Sequence, residues 1–270
     1  VVDVLTNWRK SDFMMPWVRS RADVNLKDAK NPKQRHPYGP SYNFEAGVTH
    51  FTEFPIKGII WYQGESNAHN IELYEHLMPV LVESWRKAWG TTSLPFYYVQ
   101  LSGTDRPTWP SFRDMQNRIQ KEIPNSGMAI SMDYGDSTNV HPIRKKEVGD
   151  RLALLALKYT YGKAITANGP QALKASQKGD LIAVSFSNAK QLSTSDKKEV
   201  LGFELVTEKG IQIESKAKIV KDLVEITIPK GEKIKTVLYA WKPYTTANLV
   251  NEANLPCSTF MLELESNNKN

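Results

Sequence analysis

Short apolar runs alternate with longer amphipathic stretches through the middle of the chain, and this alternation limits the possible folds more than any other feature. Three apolar runs predict buried strands, and each is followed by a stretch whose apolar residues have helical spacing. The predicted strands are 56–61, 96–101 and 128–132, and the predicted helices lie between 70 and 90, at 111–122 and at 143–159. Elements in this order are typical of a parallel sheet covered by helices, so an α/β domain is expected.

Two of the predicted helices have a clear apolar stripe, as expected for a helix that packs against a sheet. The stripes consist of Leu73, Leu77, Leu81 and Trp85 in the first helix and of Val148, Leu152, Leu155 and Tyr159 in the last. We expect these side chains to form the helical part of the core.

The sequence changes in character near residue 169, where short alternating runs separated by glycine-containing turns begin. The predicted strands there are 181–186, 201–206, 224–228 and 236–241. This spacing favours a β-rich domain at 169–265, after an α/β part at 1–168 and before a polar tail at 266–270. Residues 1–55 show no periodic pattern and include a turn-like stretch at 31–40.

The composition is that of a folded globular protein and excludes several functional classes. Of 270 residues, 40% are hydrophobic and 24% are charged, and the net charge is +6. The basic residues are scattered rather than collected in a stripe, so no nucleic-acid partner is expected. No apolar run reaches the roughly 18 residues of a transmembrane helix, so no membrane partner is expected either.

The sequence also lacks the usual patterns for a cofactor or a metal ion. Cys257 is the single cysteine, which excludes an internal disulfide framework and a multi-cysteine zinc site. A phosphate-binding glycine loop, a dinucleotide fingerprint and metal-ligand spacing are absent as well. We therefore expect no cofactor and no metal.

A polar segment with possible catalytic chemistry follows the first predicted strand. Residues 61–68 read Trp-Tyr-Gln-Gly-Glu-Ser-Asn-Ala and imitate the G-x-S-x-G nucleophile elbow, with alanine in the last position. Ser66 is then either a nucleophile or a residue that caps the following helix, a position that serine favours. The residues alone favour the cap or a neutral loop.

A second polar segment follows the third predicted strand and contains His141, with Asp133 and Asp136 a few residues before it. An imidazole that a carboxylate orients is the general base of many acyl hydrolases, so His141 is the candidate catalytic base. The other histidines have no such setting and are predicted to lie on the surface: His36, His50, His69 and His76.

Several segments resemble one known family over roughly residues 40–260. Residues 55–68 look like the hallmark of the sialate O-acetylesterase branch of the SGNH hydrolases. The other matching segments are 133–136, 141–142, 145–152, 239–241, 247–249, 251 and 255–256. The resemblance implies an α/β hydrolase with a three-layer parallel sheet, incomplete in this chain, followed by a smaller β-rich domain.

The resemblance implies that the activity is serine-type hydrolysis of acetyl esters on sugar hydroxyls, with O-acetylated sialic acids as the substrate. The alternatives are an acetylesterase that acts on xylan or another polysaccharide, and a non-catalytic carbohydrate-binding relative. Members of the family carry their nucleophilic serine in a Gly-Gln-Ser-Asn block, which this sequence lacks. We therefore expect an N-terminal part of the same protein to supply that serine, and a secreted or periplasmic location.

The resemblance also assigns roles to individual residues. Ser66 then belongs to a block that shapes the oxyanion hole. The residues assigned to the oxyanion hole and to substrate binding are Gln63, Gly64, Glu65 and Asn67. Among them, Glu65 is expected to be a buried orienting acid. His141 is the base, and Ser137, on the same loop, is disfavoured as a nucleophile. The superfamily places its acid three residues before the histidine, where this chain has Thr138. Asp136 is therefore the expected acid and Asp133 the alternative, unless a serine–histidine pair suffices.

Overall fold

A computed structural model describes residues 41–265, apart from the side chain of Tyr42. The predicted turn at 31–40, His36 and the polar tail at 266–270 lie outside the described residues. The predicted boundary near residue 168 stays a prediction.

The first half of the described chain alternates strands and helices, as the periodicity predicts. The helices are α1 (Tyr42–Gly47), α2 (Ile71–Ala88), α3 (Trp109–Ile119) and α4 (Lys145–Leu155), and the strands are β1 (Ile59–Trp61), β2 (Phe96–Val99) and β3 (Ser126–Ala129). Short 3-10 turns occur at Thr49–Phe51 and Met132–Tyr134, and a π-helical turn at Ala156–Thr160 continues α4.

The three strands form a parallel sheet in the order β1-β2-β3, which confirms the predicted parallel sheet. All four residues of β2 are buried, as expected for the central strand of a sheet that is covered on both faces. Tyr97 and Val99 contact the apolar side of α4, whereas Phe96 and Tyr98 belong to the larger core that contains α2 and α3. The predicted helices therefore lie against the sheet.

The buried side of α2 differs from the prediction by one residue. The buried residues are Tyr74, Met78, Val82 and Arg86, whereas the predicted stripe of Leu73, Leu77, Leu81 and Trp85 is only half-buried. Leu77 and Leu81 border an open cavity of about 360 Å³ beside β1, which is an edge strand of the sheet. The predicted stripe is therefore apolar because it faces this edge, and no described residue covers it fully.

The stripe of α4 is confirmed for its first three residues, since Val148, Leu152 and Leu155 are buried. Tyr159 is 53% exposed. The π-helical turn that contains it has more residues per turn than an α-helix, so the apolar stripe does not continue along the same face.

The second half of the described chain is built from antiparallel sheets. Its strands are β4 (Gln171–Lys178), β5 (Leu181–Ser187), β6 (Ser193–Thr194), β7 (Phe203–Thr207), β8 (Gln212–Glu214), β9 (Ala217–Val220), β10 (Leu223–Thr227), β11 (Ile234–Tyr239), β12 (Leu249–Val250) and β13 (Phe260–Glu263). The sheet orders are β4-β5-β10-β9, β13-β11-β7-β8 and β12-β6. In β5 every second residue is buried, which is the pattern of a strand with one face on a core.

A buried arginine joins the two halves. Arg113 of α3 has no exposed surface, and its guanidinium donates to Ala240 O (2.8 Å), Lys242 O (2.7 Å) and Pro243 O (2.9 Å). Its Nε also donates to Thr259 Oγ1 at 2.9 Å. The loop after β11 is therefore fixed against α3 and, through it, against the parallel sheet.

Among residues 41–265, no helix is both long enough and apolar enough to cross a bilayer.

Candidate active site

Three polar loops lie at the carboxyl edge of the parallel sheet, where ligands bind in open α/β sheets. The loop after β1 carries the 62–70 segment, the loop after β2 carries 100–108, and the loop after β3 carries 130–144. The cation of Lys145, at the start of α4, lies 4.3 Å from the ring centroid of Tyr62. This contact places the start of α4 next to Tyr62. His141 lies four residues before the start of α4, and Gln63 directly follows Tyr62.

The loop after β1 turns sharply at Gly64. Its φ is +148°, a region that residues with a side chain rarely adopt. A Cβ at this position would lie 2.8 Å from Cε1 of Phe112 and 3.5 Å from Cδ2 of Leu101. Glycine therefore lets the backbone approach the buried Phe112 ring and directs the following residues across the end of the sheet.

Gln63 and Asn67 form an amide pair on either side of this turn. Gln63 Nε2 donates to Asn67 Oδ1 at 2.5 Å. The Tyr74 hydroxyl donates to the main-chain oxygen of Gln63 at 3.4 Å, and burial raises the pKa of Tyr74, so it remains a donor at neutral pH. The amide of Asn67 then has both N–H groups available, and Gln63 has one.

The other two residues of this segment differ from their predicted roles. Asn70, not Ser66, caps α2, because Asn70 Oδ1 accepts from Leu73 N at 3.1 Å. Ser66 is exposed, and its carbonyl oxygen lies 2.8 Å from Nδ1 of His69. Of the two non-nucleophilic alternatives for Ser66, the helix cap is therefore wrong and the loop position remains. Glu65 is half-buried rather than buried, and its carboxylate makes no hydrogen bond within residues 41–265.

The loop after β3 is packed against the loop after β2. A Cβ on Gly135 would lie 2.1 Å from the carbonyl oxygen of Gly103, so the two backbones touch. Thr104 Oγ1 donates to Asp136 O at 2.6 Å, and Asp105 N donates to Ser137 O at 3.0 Å. These contacts hold the segment that leads to His141 at the carboxyl edge of the sheet.

Asp136 closes a tight turn with one of its carboxylate oxygens. Its Oδ1 accepts from Thr138 N (2.8 Å), Thr138 Oγ1 (2.9 Å) and Asn139 N (3.0 Å). These hydrogen bonds, that of the Thr138 N–H first, lower the pKa of Asp136 below its ordinary value and keep it ionised. No bond from a described residue reaches Oδ2, so one oxygen of this exposed carboxylate is available.

Asp133 uses both of its carboxylate oxygens on Arg151. Each oxygen accepts from one guanidinium nitrogen at 2.7 Å, and Arg151 also donates to Ile130 O at 2.6 Å. The guanidinium groups of Arg144 and Arg151 lie 4.3 and 4.4 Å from the ring centroid of Tyr134. Asp133 and Tyr134 therefore anchor the loop on α4, which leaves Asp133 poorly placed to orient a histidine.

His141 is exposed, and its position is set through its backbone. Its N–H donates to Asn139 Oδ1 at 2.9 Å. Within residues 41–265 its ring makes no hydrogen bond, either to Asp136 or to Asp133. The structure therefore places His141 on the same loop as both acids without joining the ring to either. The histidines His50, His69 and His76 are exposed, as predicted.

Sequence reasoning missed three residues that position this site. Arg113 and Thr104 act through contacts to segments more than 30 residues away, and no local pattern indicates such contacts. Asn139 precedes His141 by two residues and bonds its N–H, a local turn that the Asn-x-His order could have suggested. No cluster of three or more potential metal-ligating side chains occurs in the part of the chain that the structure describes.

Comparisons with known proteins match this chain to one group of esterases. The model of the carbohydrate esterase family of sialic acid-specific acetylesterases matches residues 33–158. The human sialate O-acetylesterase is 34% identical over 177 residues, which cover 54% of this chain and 34% of that protein. The rat sialate O-acetylesterase is 31% identical over 168 residues, 53% of this chain and 31% of that protein. The chain thus spans about a third of the length of these curated relatives.

A solved structure of a carbohydrate acetylesterase matches a longer region of the chain. The crystal structure of a carbohydrate acetylesterase from Xanthomonas citri matches 78% of this chain and 51% of that chain, with 30% sequence identity and a TM-score of 0.73. The matched fold therefore includes much of the antiparallel half as well as the parallel sheet. Together with the family match to residues 33–158, this makes the chain similar to the sialic acid-specific carbohydrate acetylesterases over much of its length.

Proposed function

We propose that the protein is a serine-type carbohydrate O-acetylesterase that removes acetyl groups from the hydroxyls of sialic acids. The observation that carries this proposal is the placement of two loops at one edge of the parallel sheet. One presents the amides of Gln63 and Asn67, and the other presents an exposed imidazole, that of His141. An imidazole and amide donors are the groups that acyl transfer requires in addition to a nucleophile.

His141 moves the protons in this mechanism. It takes the proton of the attacking serine hydroxyl as the serine oxygen bonds to the acetyl carbon. It then gives that proton to the sugar oxygen as the ester bond breaks and the sugar leaves. In the second half it takes a proton from water, which attacks the acetyl-serine, and returns it to the serine as acetate leaves.

Asp136 is the acid that orients the imidazole. Of the two candidates, Asp133 has both oxygens bonded to Arg151, whereas Asp136 has Oδ2 available. The lowered pKa of Asp136 keeps it ionised, so it can stabilise the imidazolium that forms during proton transfer. In this mechanism the exposed 136–141 turn brings Oδ2 to the ring.

Gln63, Asn67 and the N–H of Gly64 are the donors to the oxyanion. The bond from Gln63 Nε2 to Asn67 Oδ1 fixes both amide planes before substrate arrives. Donors that are already oriented need no rearrangement when negative charge develops, and removing one typically lowers the rate about 10²–10³-fold. Glu65, at the same turn, is assigned to substrate contacts.

The nucleophilic serine comes from another part of the same protein, docked beside β1. Ile60 of this edge strand is 69% exposed, and its neighbour on the sheet, Tyr97, is buried. On the opposite side, Trp61, Leu77 and Leu81 border the open cavity of about 360 Å³. An added strand would pair with the edge of β1 that no strand within residues 41–265 occupies, cover Ile60 and place its own carboxyl end beside Gln63.

The test uses the full-length protein and measures acetate release from O-acetylated N-acetylneuraminic acid, from acetylated xylan and from an aryl acetate. His141→Ala is expected to lower turnover of all substrates by at least about 10²–10⁴-fold, the usual contribution of a general base. The control is His76→Ala, which removes another exposed histidine and should change nothing.

The outcomes separate the candidate functions. Activity on acetylated sialic acid that depends on His141 supports the proposal. Activity on xylan alone would move the substrate to polysaccharides, and binding without hydrolysis would indicate a non-catalytic carbohydrate-binding protein. Near-normal activity of His141→Ala would overturn the assigned base.

A further inference from the structure

A separate cavity of about 380 Å³ opens in the antiparallel half of the chain and is called here the Glu204 cavity. Its wall includes Glu204 of β7, Ser215 after β8, and Trp241 and Tyr244 in the loop after β11. This volume lies within the range of small-molecule sites, which are concave, partly aromatic and supplied with a few polar groups. None of these residues belongs to the catalytic machinery described above.

Two polar atoms of the cavity wall have no hydrogen-bond partner among residues 41–265. Glu204 is only 6% exposed, and its Oε2 is fully buried without a hydrogen bond to any described residue. The hydroxyl oxygen of Ser215 is also buried and unpartnered within residues 41–265. A buried polar group without a partner typically costs about 1–3 kcal/mol. Two such groups in one cavity wall therefore favour a ligand that brings hydrogen-bond donors.

The charges of the cavity indicate which donors fit. Its charged residues are Glu204, Glu214 and Lys242, and the ammonium of Lys242 is paired with the carboxylate of Glu214. At their formal charges, these three side chains sum to one negative charge. This charge favours neutral hydroxyl groups as donors and disfavours an anionic ligand.

The two aromatic side chains supply an apolar surface beside the carboxylate. Tyr244 is 43% exposed and Trp241 is half-buried, so both can contact a ligand. Aromatic side chains with a polar group at one end suit a ligand that has one apolar face and one polar, hydrated side. A pyranose ring has this character, with a C–H face and a rim of hydroxyl groups.

The cavity is connected to the candidate active site through a shared loop. Thr104 N donates to Pro243 O at 3.2 Å, and Thr104 Oγ1 donates to the carbonyl oxygen of Asp136. A Cβ on Gly103 would lie 3.4 Å from Cδ2 of Tyr244. Tyr244 therefore stands against the same 103–104 segment that holds the loop of His141.

We infer that the Glu204 cavity binds a neutral pyranose ring of the saccharide whose acetylated residue occupies the candidate active site. The C–H face of the ring contacts Trp241 and Tyr244, and its hydroxyls lie against the wall that Glu204 and Ser215 form. The claim that this pyranose belongs to the same saccharide as the acetyl ester rests on the proposed esterase function. The claim that the cavity binds a neutral sugar does not depend on that function. The cavity would select acetylated sialic acids that are attached to neutral sugars over the free monosaccharide.

The first experiment is a binding titration that needs no catalytic activity. Lactose is added to the protein while the indole N–H signals of the tryptophans are followed by NMR. We expect a saturable shift of the Trp241 signal. Trp241→Ala and Glu204→Gln should each weaken lactose binding about fivefold or more, as expected for one lost contact of about 1 kcal/mol. Tyr161→Ala and Glu208→Gln remove an exposed ring and an exposed carboxylate elsewhere and should leave binding unchanged.

Three results of the titration would overturn the inference. These are the absence of a saturable shift, equal binding by Glu204→Gln and the wild type, and binding of free N-acetylneuraminate as tight as that of lactose. Glu204→Gln keeps the size of the side chain, so it tests the carboxylate even if Trp241→Ala does not fold.

The second experiment tests the link to the active site in the full-length protein. For O-acetylated sialic acid joined to lactose, Glu204→Gln should raise KM and leave kcat unchanged, and the kinetics with an aryl acetate should not change. An unchanged KM together with normal lactose binding would separate the cavity from the active site and overturn the link. Lactose binding without hydrolysis of any ester would contradict the proposed function and leave the sugar site standing.

Discussion

Gly64→Ala tests whether the turn after β1 depends on both the backbone conformation and the space at this position. The conformation at φ +148° is nearly restricted to glycine, and imposing it on alanine costs about 1–3 kcal/mol. The added methyl group would also lie 2.8 Å from Cε1 of Phe112, which has no exposed surface and little room to move. Overpacking of this kind costs about 1–3 kcal/mol more. We therefore expect a loss of about 2–6 kcal/mol in the free energy of unfolding.

The assay is urea denaturation followed by tryptophan fluorescence, with Gly90→Ala as the matched control. Gly90 also has a positive φ, +65°, but a Cβ there would meet no atom within 4 Å. The control should therefore lose only the backbone contribution, about 1–2 kcal/mol. A Gly64→Ala variant that loses no more than the Gly90→Ala variant would refute the steric part of the reasoning.

Three further predictions concern the groups that hold the site together. Arg113→Met removes a donor from four acceptors, and Lys242 O and Thr259 Oγ1 keep no other donor among residues 41–265, so we expect a loss of about 3–5 kcal/mol in urea denaturation. Asp133→Asn breaks the two-bond ion pair with Arg151; since Asp133 is 27% exposed at its side chain, we expect a smaller loss, about 1–3 kcal/mol, in the same assay. The pKa of Asp136 is lowered in the folded state, so its turn should be stable above the ordinary carboxyl pKa of about 3.9 and should open as the pH falls through the lower folded value. NMR shifts of the Thr138 and Asn139 amides would report this opening, and Asp136→Asn should remove the transition.

Periodicity predicted the parallel sheet well because it reports burial within a single element. The apolar run at 96–101 marks β2, whose four residues are all buried. The same reasoning misplaced the buried face of α2 by one residue, since hydrophobicity cannot distinguish a side chain in the core from one that faces an open edge. Leu77 is apolar for the second reason, whereas Val82 is apolar for the first.

The polar strands and the buried arginine could not be predicted for a different reason. β4 reads Gln-Ala-Leu-Lys-Ala-Ser-Gln-Lys and has only one buried residue, so its place in a sheet comes from pairing with β5. Arg113 lies on an ordinary amphipathic helix, and its acceptors are more than 120 residues away in the sequence. Such contacts arise only when the two halves of the chain pack together.

At the candidate site, the sequence motif predicted which loop carries the histidine and the acids, but not which acid is its partner. The loop order placed His141 beside two acids, but the sequence alone could not choose between them, because both stand within eight residues of the imidazole. The choice depends on how each carboxylate uses its oxygens. Asp133 has none to spare once Arg151 is bound, and that ion pair anchors the loop on α4. Asp136 needs only Oδ1 to close its turn, and the three donors that hold Oδ1 also keep the group ionised. One carboxylate therefore fixes the loop, while the other, on the same loop as the imidazole, keeps an oxygen that no described residue bonds, as the proposed partner of the base requires.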